Sequence, residues 1–412
     1  MALALVGARL LDARSEAPLD ADTLVVGDDG RIAAIGRGRG LVPDGAIVFD
    51  AAGATVVPGL IDCHVHLSAA FQTTDTSISQ AYTEVVAAML TAGREFLGQG
   101  VTTVRDAGGA PAAMKRLFAS GAWPGPRLQV SCTPLSITGG HGDGMSPSGV
   151  DLDWDRPRVE LPDAIADGVD AVRRAVRLNV RAGADWIKVM ATGGVYSMMD
   201  GPDAVQYSVE ELTAIVEEAD RADLRGVLAH AENARGIKNA LRAGIASIEH
   251  GDGIDDEAID LMLARDVPLV PTLFISYEML KPEYVASGIT PPWAVEKQTA
   301  LLPAIRRWVG RAVERDVRFA MGTDGFKGSH LPTELALMVD HGLTPLDALR
   351  AATISAARLL RVDDEVGTLE VGKVADLAMC GFDPLTEPAR WADPAAVVAV
   401  LQAGKVVVDR RS

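Results

Sequence analysis

Eight short apolar segments, each followed by a helix-like stretch, constrain the fold of this sequence most strongly. They lie between residues 58 and 365 and read, in order, GLIDCHVH, TTVRDAG, RLQVSC, WIKVMATGG, GVLAHA, SIEHG, PLVPTL and FAMGTD. Apolar strands that alternate with helices form a parallel sheet covered by helices, which is the α/β class. Eight such units predict a (β/α)8 barrel, or TIM barrel, rather than an open sheet.

Two of the intervening stretches carry clear helix signals. Apolar residues recur at helical spacing from Ile165 to Val176, and Gly183 stands where a C-terminal cap is expected. Ser208 and Glu211 have the spacing of a capping box at the start of another helix. We expect these helices to cover the outside of the barrel.

The two ends of the chain follow a different pattern. Residues 1–57 and 366–412 contain short β-rich segments broken by glycine turns, among them TLVVGDDGRIAAIG and AVVAVLQAGKVVVD. Asp29-Gly30 in the first of these is a hairpin signal. The sequence therefore predicts a composite β-sandwich domain of residues 1–57 plus 366–412, and a barrel catalytic domain of residues 58–365.

Composition narrows the range of partners and compartments. The formal net charge of −17 disfavours binding to nucleic acid or to an anionic membrane, since both attract clustered Lys and Arg. No apolar run reaches the roughly 18 residues that a membrane-spanning helix needs, and the first residues lack the pattern of a secretory signal. Three widely spaced cysteines suggest no disulfide framework. We expect a cytoplasmic protein that acts on a small molecule.

Several residues at the strand ends are potential metal ligands. His64 and His66 share one face of the first strand, because residues i and i+2 point the same way. Alone, this spacing also fits two polar residues at a strand end. His230, His250 and Asp324 end later segments, and the parallel strands of a barrel all finish at one face. The five side chains should therefore converge at that face, which we call the mouth of the barrel.

Lys188, in WIKVMATGG, differs from these residues because a lysine with its ordinary pKa of about 10.4 is cationic and repels a metal. It could form an ion pair with an acidic residue. Alternatively, when desolvated beside two cations, it could take up carbon dioxide and become an anionic carbamate that bridges them. The residues alone leave both interpretations open.

Taken together, these residues resemble a known family. The motif G-x-x-D-x-H-x-H, here GLIDCHVH, is followed by a lysine, two histidines and an aspartate at later strand ends, as in the amidohydrolase superfamily. The resemblance extends over nearly the whole chain, including the split β-sandwich and the segment GTLEVGKVADLAMCGFDPL. All six ligand positions are filled, which resembles the binuclear metal subtype.

This resemblance implies a cofactor of two divalent metal ions, with zinc as the expected metal. It implies that His64 and His66 hold one ion with Asp324, that His230 and His250 hold the other, and that Lys188, as N6-carboxylysine, bridges the two. A hydroxide shared by the metals would attack the substrate, with Asp324 acting as general base and then as general acid.

A narrower resemblance concerns the substrate. The segments HGDGMSPSG, KVMATGGV, QYSVEEL, SIEHG and SAARLL are similar to a group related to imidazolonepropionases. That group includes Xaa-Pro dipeptidases (prolidases), Xaa-Arg carboxypeptidase-like enzymes and ochratoxin-hydrolysing amidases, which cut an amide bond next to a free carboxylate. The resemblance therefore implies hydrolysis of dipeptides or N-acyl amino acids, by an enzyme that forms a homo-oligomer.

The sequence is also compatible with other functions. A carbamate, lactone or phosphotriester hydrolase could use the same metal site. A mononuclear deaminase is disfavoured by Lys188 and by the complete ligand set. A noncatalytic assembly protein of this fold is disfavoured because such relatives have lost ligands, whereas none is lost here.

Further residues are candidates for substrate contacts. By resemblance, His141 in GGHGDG lies near the scissile carbonyl and could donate a hydrogen bond to the oxyanion, although it could also be a solvated loop residue. Tyr196 could contact the substrate carboxylate or pack, and His330 is expected to line the mouth. Arg105 and Asp106 are expected to form a structural ion pair with each other.

Overall fold

The computed structural model of the chain describes residues 2–69, 79–146, 148–149, 160–163 and 165–411. Its strands are β1 Leu3–Val6, β2 Arg9–Leu10, β3 Thr23–Val26, β4 Ile32–Gly36, β5 Ile47–Asp50, β6 Thr55–Pro58, β7 Leu60–Val65, β8 Val101–Asp106, β9 Arg127–Val130, β10 Ile187–Met190, β11 Val227–Ala231, β12 Ser247–His250, β13 Leu269–Val270, β14 Leu377–Cys380, β15 Val397–Gln402 and β16 Lys405–Asp409.

Its helices are α1 Tyr82–Gly98, α2 Ala113–Ala119, α3 Val169–Ala182, α4 Val209–Arg221, α5 Ala234–Ala243, α6 Asp256–Arg265, α7 Leu273–Glu278, α8 Pro282–Ser287, α9 Pro292–Glu314, α10 Thr333–Asp340, α11 Pro345–Arg350 and α12 Ala356–Leu359. Short 3₁₀ segments lie at Arg39–Leu41 and Pro388–Ala392, and a π-helical turn at Ala351–Ser355 joins α11 to α12.

Seven of the eight predicted segments form strands of two parallel sheets. One sheet has the order β7-β8-β9 and the other has the order β10-β11-β12-β13. The sheets are joined after β9, where the N–H of Leu135 donates to the carbonyl of Lys188 at 2.8 Å and the carbonyl of Leu135 accepts from Met190 at 2.9 Å. The parallel strands therefore continue from β7 to β13 around one barrel.

The eighth predicted segment, FAMGTD, closes the ring without forming a regular strand. The N–H of Ala320 donates to the carbonyl of Leu269 in β13 at 3.0 Å, and the N–H of Asp324 donates to the carbonyl of His64 in β7 at 2.8 Å. Asp324 has a left-handed backbone, with φ of 56°, which interrupts the extended pairing. The structure thus confirms the (β/α)8 barrel and gives it an irregular eighth strand.

The helix signals of the sequence are confirmed in one case and shifted in the other. Ser208 caps α4 by accepting from the N–H of Glu211, whose carboxylate accepts the N–H of Ser208. Helix α3 ends at the left-handed Gly183, as predicted. However, α3 does not include Ile165, because Gly168 precedes it with φ of 83° and Ile165 lies in an isolated bridge with the segment after β9.

Both ends of the chain build the β-sandwich. One sheet has the order β4-β3-β1-β5, and the other has the order β16-β15-β14-β6-β2, in which Val57 lies opposite Ala378. A single buried cluster contains side chains from both ends, among them Leu5, Leu24, Val56, Leu377 and Leu401. The two ends therefore share one hydrophobic core. The domain boundaries after residue 57 and before residue 366 stay a prediction.

Composition also led to expectations about membranes and disulfides. Among the described residues, no helix is long and apolar enough to cross a membrane. The three cysteines, Cys63, Cys132 and Cys380, are buried and carry free thiols. Burial raises the pKa of Cys132 to about 12, so this thiol stays protonated at neutral pH.

Glu334 links two helices on the outside of the barrel. It lies in the first turn of α10, and its carboxylate accepts the N–H groups of Leu273 and Phe274 at the start of α7, at 3.0 and 2.5 Å. The side chain is fully buried, and burial raises its pKa from the ordinary 4.5 to about 8 although the two hydrogen bonds oppose this shift.

We predict that Glu334→Gln removes a pH dependence from the stability of the protein. Because the pKa of Glu334 is about 8 when folded and near 4.5 when unfolded, the folded state holds one more proton between these values. The stabilising contribution of Glu334 is therefore complete below the lower value and is lost as the pH rises towards the higher one, by up to about 1.4 kcal/mol per pH unit.

Denaturant unfolding between pH 5 and 8 measures this contribution. The stability of the Glu334→Gln protein should fall less steeply with pH than that of the wild type, because other buried carboxyls such as Asp62, whose pKa burial raises to about 7, still contribute. Glu314→Gln, which changes an exposed carboxylate, should match the wild type. Identical pH profiles for the wild type and Glu334→Gln would show that the buried carboxyl is ionised throughout.

Candidate metal centre

Two histidines and one aspartate form a close group at the mouth of the barrel. The Nε2 atom of His66 lies 3.0 Å from Oδ1 of Asp324, and the Nε2 atom of His64 lies 3.5 Å from the same oxygen. One ligand atom from each residue lies within 4.8 Å of the other two. The three side chains are therefore close enough to bind a single ion.

Lys188, His230 and His250 extend this group. The Nζ atom of Lys188 lies 3.3 Å from Nε2 of His64. The ring of His250 lies 5.2 Å from that of His64 and 4.6 Å from that of His230, between centroids. The structure thus brings together every predicted ligand position. We call this set the histidine cluster: His64, His66, Lys188, His230, His250 and Asp324.

Each imidazole of the cluster has one ring nitrogen held by a neighbouring protein group. The four contacts are His64 Nδ1 to Glu249 Oε2 at 2.7 Å, His66 Nδ1 to the carbonyl of Gly108 at 2.9 Å, His230 Nε2 to the carbonyl of Gly193 at 3.1 Å, and His250 Nδ1 to Oγ1 of Thr272 at 2.7 Å. Such contacts orient a histidine and leave the other nitrogen as a ligand atom. The donor set fits a divalent cation such as zinc.

The charges of the cluster suit a cation. Burial, followed by the charge of Lys188, lowers the pKa of His64 to about 4. Burial lowers the pKa values of His230 and His250 well below the ordinary value, and neighbouring imidazoles add to the effect. Burial alone would raise the pKa of Asp324, but its hydrogen bond to His66 and the nearby imidazoles hold it well below its usual range. At neutral pH these imidazoles are therefore neutral and the aspartate is an anion, as metal binding requires.

Two cluster residues reach the mouth through an unusual backbone conformation. His250 has φ of 68° and Asp324 has φ of 56°, and Thr272, which contacts His250, has φ of 47°. The left-handed region is costly for residues other than glycine, and such strain is concentrated at functional sites. In β12, alternation would put Glu249 and His250 on opposite faces. The left-handed turn at His250 returns its ring to the cluster beside Glu249.

Sequence reasoning missed Glu249 and assigned Arg105 the wrong partner. Arg105 binds Oε1 of Glu249 through Nη2 at 2.9 Å, and both side chains are fully buried. Asp106 instead accepts the N–H groups of Leu67 and Gly108. Arg105 and Asp106 do not pair because adjacent residues of a strand point to opposite faces. The i, i+2 relation of Glu249 to Ser247 was the signal that could have placed Glu249 inside the barrel.

Glu249 is an anion in the interior of the barrel. Burial favours its neutral form, but the charge of Arg105 and the hydrogen bond to His64 lower its pKa to about 2. A carboxylate only accepts hydrogen bonds, so Nδ1 of His64 must carry the proton. The lone pair of His64 therefore lies on Nε2, on the side of Asp324.

Of the candidate substrate residues, His141 lies beside the cluster, and Tyr196 lies on the loop after β10. The ring of His141 stacks on that of His230 with a centroid distance of 4.2 Å, and its Nδ1 lies 3.0 Å from Oγ of Ser197. Tyr196 donates its hydroxyl to the carbonyl of Ile289 at 2.7 Å and packs near Trp293. The loops that follow β9 and β10 thus meet next to His230.

His330 lies elsewhere, contrary to the expectation that it lines the mouth. Its Nε2 contacts the carbonyl of Trp391 at 3.0 Å, and its ring borders a cleft of about 460 Å³ that includes Arg94 and Arg410. The loop after Asp324 turns towards α1, where the Gln99 amide donates to the carbonyl of Ser329 at 2.8 Å. That contact directs His330 away from the cluster.

Comparison with known proteins yields three findings. The profile described as Amidohydrolase family matches residues 55–407. The chain is 36% identical over 375 residues to ochratoxinase from Aspergillus niger, covering 85% of this chain and 75% of that one, and 28% identical over 417 residues to imidazolonepropionase from Cupriavidus taiwanensis, covering 93% and 90%. A solved prolidase structure complexed with N-methylphosphonate-L-proline has a TM-score of 0.90 and 33% identity, covering 99% of this chain and 100% of that one.

We predict that Gly322→Ala damages both the fold and the cluster. A Cβ at this position would lie 2.2 Å from Cγ1 of Val270 and 2.9 Å from Cβ of His64, so β7 would have to move. Overpacking of this kind costs about 1–3 kcal/mol. The variant should melt at a lower temperature and bind divalent cations more weakly in calorimetric titration.

Gly40→Ala is the matched control, because nothing lies within 4 Å of a Cβ added there. It should keep the melting temperature and cation affinity of the wild type. If Gly322→Ala also keeps both properties, the eighth strand does not approach His64 closely enough for a Cβ at residue 322 to lie 2.9 Å from Cβ of His64.

Proposed function

The chain belongs to the amidohydrolase family, and from this premise we propose that it is a binuclear metal hydrolase that cuts an amide bond next to a free carboxylate. The observation that carries the proposal is the arrangement of the four imidazoles. Each has one nitrogen held by a protein group, its other nitrogen is the proposed ligand atom, and Nζ of the buried Lys188 lies 3.3 Å from Nε2 of His64. This is the arrangement that a pair of cations needs.

The proposed ligands divide into two sets. His64, His66 and Asp324 would hold one ion, and His230 and His250 would hold the other. Lys188, whose Nζ lies 3.3 Å from Nε2 of His64, would bridge them as N6-carboxylysine. In forming it, the neutral amine attacks carbon dioxide, a nitrogen–carbon bond forms, and one proton is released. Zinc is the proposed metal, because the imidazole and carboxylate ligands suit it.

The metals, when bound, would supply a water with a lowered pKa and would polarise the scissile carbonyl. The side chains of the protein would move and stabilise the remaining charges. Asp324 would take the proton of the attacking water and return it to the leaving amine, so that one carboxylate serves as base and then as acid. His141, which stacks on His230, would donate a hydrogen bond to the developing oxyanion.

The relatives support the amide and the free carboxylate of the proposed substrate, a dipeptide or an N-acyl amino acid. One is named ochratoxinase, and another is a prolidase complexed with an N-phosphonate derivative of L-proline. Tyr196, on the loop after β10, is the proposed contact for the carboxylate, to which its hydroxyl would donate in place of the carbonyl of Ile289. The ring of Tyr196 packs near Trp293, and the next residue along the loop, Ser197, contacts His141.

The rim of the mouth supports a bulky apolar group on the substrate. The contact between His141 and Ser197 joins the loops that follow β9 and β10. These loops also carry exposed methionines, with exposed fractions of 49% for Met145 and 55% for both Met198 and Met199. Methionine is flexible and packs against irregular apolar surfaces. We therefore propose that the acyl group or side chain on the far side of the scissile amide is large and apolar.

We also propose that the protein is cytoplasmic and forms a homo-oligomer. The free, buried thiols of its three cysteines suit a reducing compartment. Ile47 and Val48 on the edge strand β5 have exposed fractions of 54% and 49%, which supports contact between copies through the β-sandwich.

A hydrolysis screen tests the proposed reaction. The metal-loaded protein should cleave Xaa-Pro and Xaa-Arg dipeptides or N-acyl amino acids, and kcat/KM should rise with the apolar size of the acyl group. Converting the free carboxylate to its methylamide should lower kcat/KM by about 10-fold or more, since a hydrogen bond to a charged group is lost. If the protein cleaves only carbamates, lactones or phosphotriesters, the proposed amide substrate is wrong.

Asp324→Asn should keep the fold and lower kcat by about 10²- to 10⁴-fold, because the group that transfers the proton is lost.

The metal content tests the role of Lys188. The wild type should bind about two equivalents of zinc, as a two-metal site requires. Lys188→Ala should lose binding of the second equivalent and most activity, and a short carboxylic acid should restore part of both. Lys405→Ala, on the exposed strand β16, should behave like the wild type. A single equivalent of metal in the wild type, together with full activity of Lys188→Ala, would contradict the bridging carbamate.

A further inference from the structure

The four imidazole anchors of the histidine cluster differ in charge. Nδ1 of His64 donates to a carboxylate, that of Glu249. His66 and His230 contact backbone carbonyls, and His250 contacts the hydroxyl of Thr272. The Glu232 carboxyl lies 3.5 Å from Nε2 of His230, farther than the 2.7 Å at which Glu249 contacts His64. A histidine hydrogen-bonded to a carboxylate is a more basic ligand than one bonded to a neutral group. The contact with Glu249 therefore makes Nε2 of His64 a stronger donor than it would be with a neutral group at Nδ1.

Glu249 is held rigidly in this role by a buried network. The guanidinium of Arg105 binds Oε1 of Glu249 at 2.9 Å and donates through Nε to the carbonyl of Cys63 at 2.6 Å. The same guanidinium lies 4.8 Å above the ring of Trp186, and Oγ of Ser247 donates to Glu249 at 2.5 Å. Glu249 Oε1 is thus occupied by Arg105 and Ser247, and Oε2 faces His64.

The two proposed sets of ligands also differ in how close their ligand atoms already lie to one another. His64, His66 and Asp324 already place one ligand atom each within 4.8 Å of the others, and Asp324 brings a negative charge. His230 and His250 are hydrogen-bonded to a backbone carbonyl and to a hydroxyl, and the carbamate proposed to complete their side forms only after Lys188 has reacted with carbon dioxide. One half of the cluster is therefore ready to bind, whereas the other half is incomplete.

We propose that the Arg105–Glu249 pair sets the order of metal binding, so that the ion held by His64, His66 and Asp324 binds first and more tightly than the ion held by His230 and His250. Arg105 and Glu249 are positioning residues, because they act on the metal only through His64. This inference rests on the proposed binuclear function. If the pair had only a structural role, its removal would destabilise the protein without weakening the binding of one ion more than that of the other.

Titration of the metal-free protein with Cd²⁺, followed by calorimetry and by ¹¹³Cd NMR, tests the order. The wild type should bind a first, tight equivalent and give one resonance before a second appears with bicarbonate present. Glu249→Gln should weaken the first equivalent by about 10- to 100-fold, the usual effect of removing such a partner. Thr272→Val, the matched control, removes the neutral anchor of His250 and should weaken only the second equivalent.

Glu249→Gln leaves Arg105 as an unpaired buried charge and could fail to fold. The double variant Arg105→Met with Glu249→Gln removes both charges and should show the same selective loss of the tight equivalent. Independently, ¹⁵N NMR of the metal-free wild type should show His64 protonated at Nδ1. A proton on Nε2 of His64, or equal weakening of both equivalents in the folded variants, would overturn the inference.

These outcomes separate the inference from the proposed function. If the wild type binds no Cd²⁺ or only one equivalent, the binuclear function fails. If it binds two equivalents of equal affinity, or if the tight equivalent is unchanged in the Arg105 and Glu249 variants, the function stands and only the inferred order is wrong.

Discussion

Backbone hydrogen bonds between the first and last strands close the barrel at the point where His64 and Asp324 meet. The N–H groups of Asp324 and Thr323 both donate to the carbonyl of His64, at 2.8 and 3.2 Å. Below them, the Asp62 carboxylate accepts the hydroxyl of Thr323 at 2.8 Å and the N–H of His64 at 3.0 Å. One buried carboxylate thus joins both strands, and the fold itself positions the two proposed metal ligands. Such preorganisation limits the ordering cost of binding an ion.

The parts of the structure that depend on regular periodicity could be predicted from the sequence. Alternating apolar segments and helices predicted the barrel, and the rule that parallel strands end at one face predicted that His230 and Asp324 would meet His64. The prediction failed where the backbone leaves regular geometry. Left-handed conformations at His250 and Asp324 have no single-residue signature in the sequence, and the positive φ of Gly168 starts α3 later than the apolar spacing indicated.

Contacts between distant strands were also beyond the sequence. Glu249 and Arg105 lie 144 residues apart, and nothing in either segment alone indicates that they pair. They meet because Arg105 on β8 and Glu249 on β12 both point into the interior of the barrel. A buried ion pair is a weak source of stability, since desolvation offsets much of the attraction between the charges. The main consequence of the pair is therefore the fixed position of Glu249 against His64 rather than the stability that it supplies.

The loops around the mouth are fixed by a different interaction from the one that fixes the cluster. Nζ of Lys297, on α9, donates to the carbonyls of Ser197 and Asp200 at 2.7 and 2.6 Å, and lies 5.2 Å from the ring of Trp293. This holds the backbone of the loop after β10, while the side chain of Met198, between those carbonyls, stays exposed. Hydrogen bonds between strands thus position the proposed metal ligands, and a lysine on an outer helix positions the proposed substrate contacts. Because the two sets of contacts are separate, changes in the loop can alter the substrate without disturbing the strands that hold the cluster.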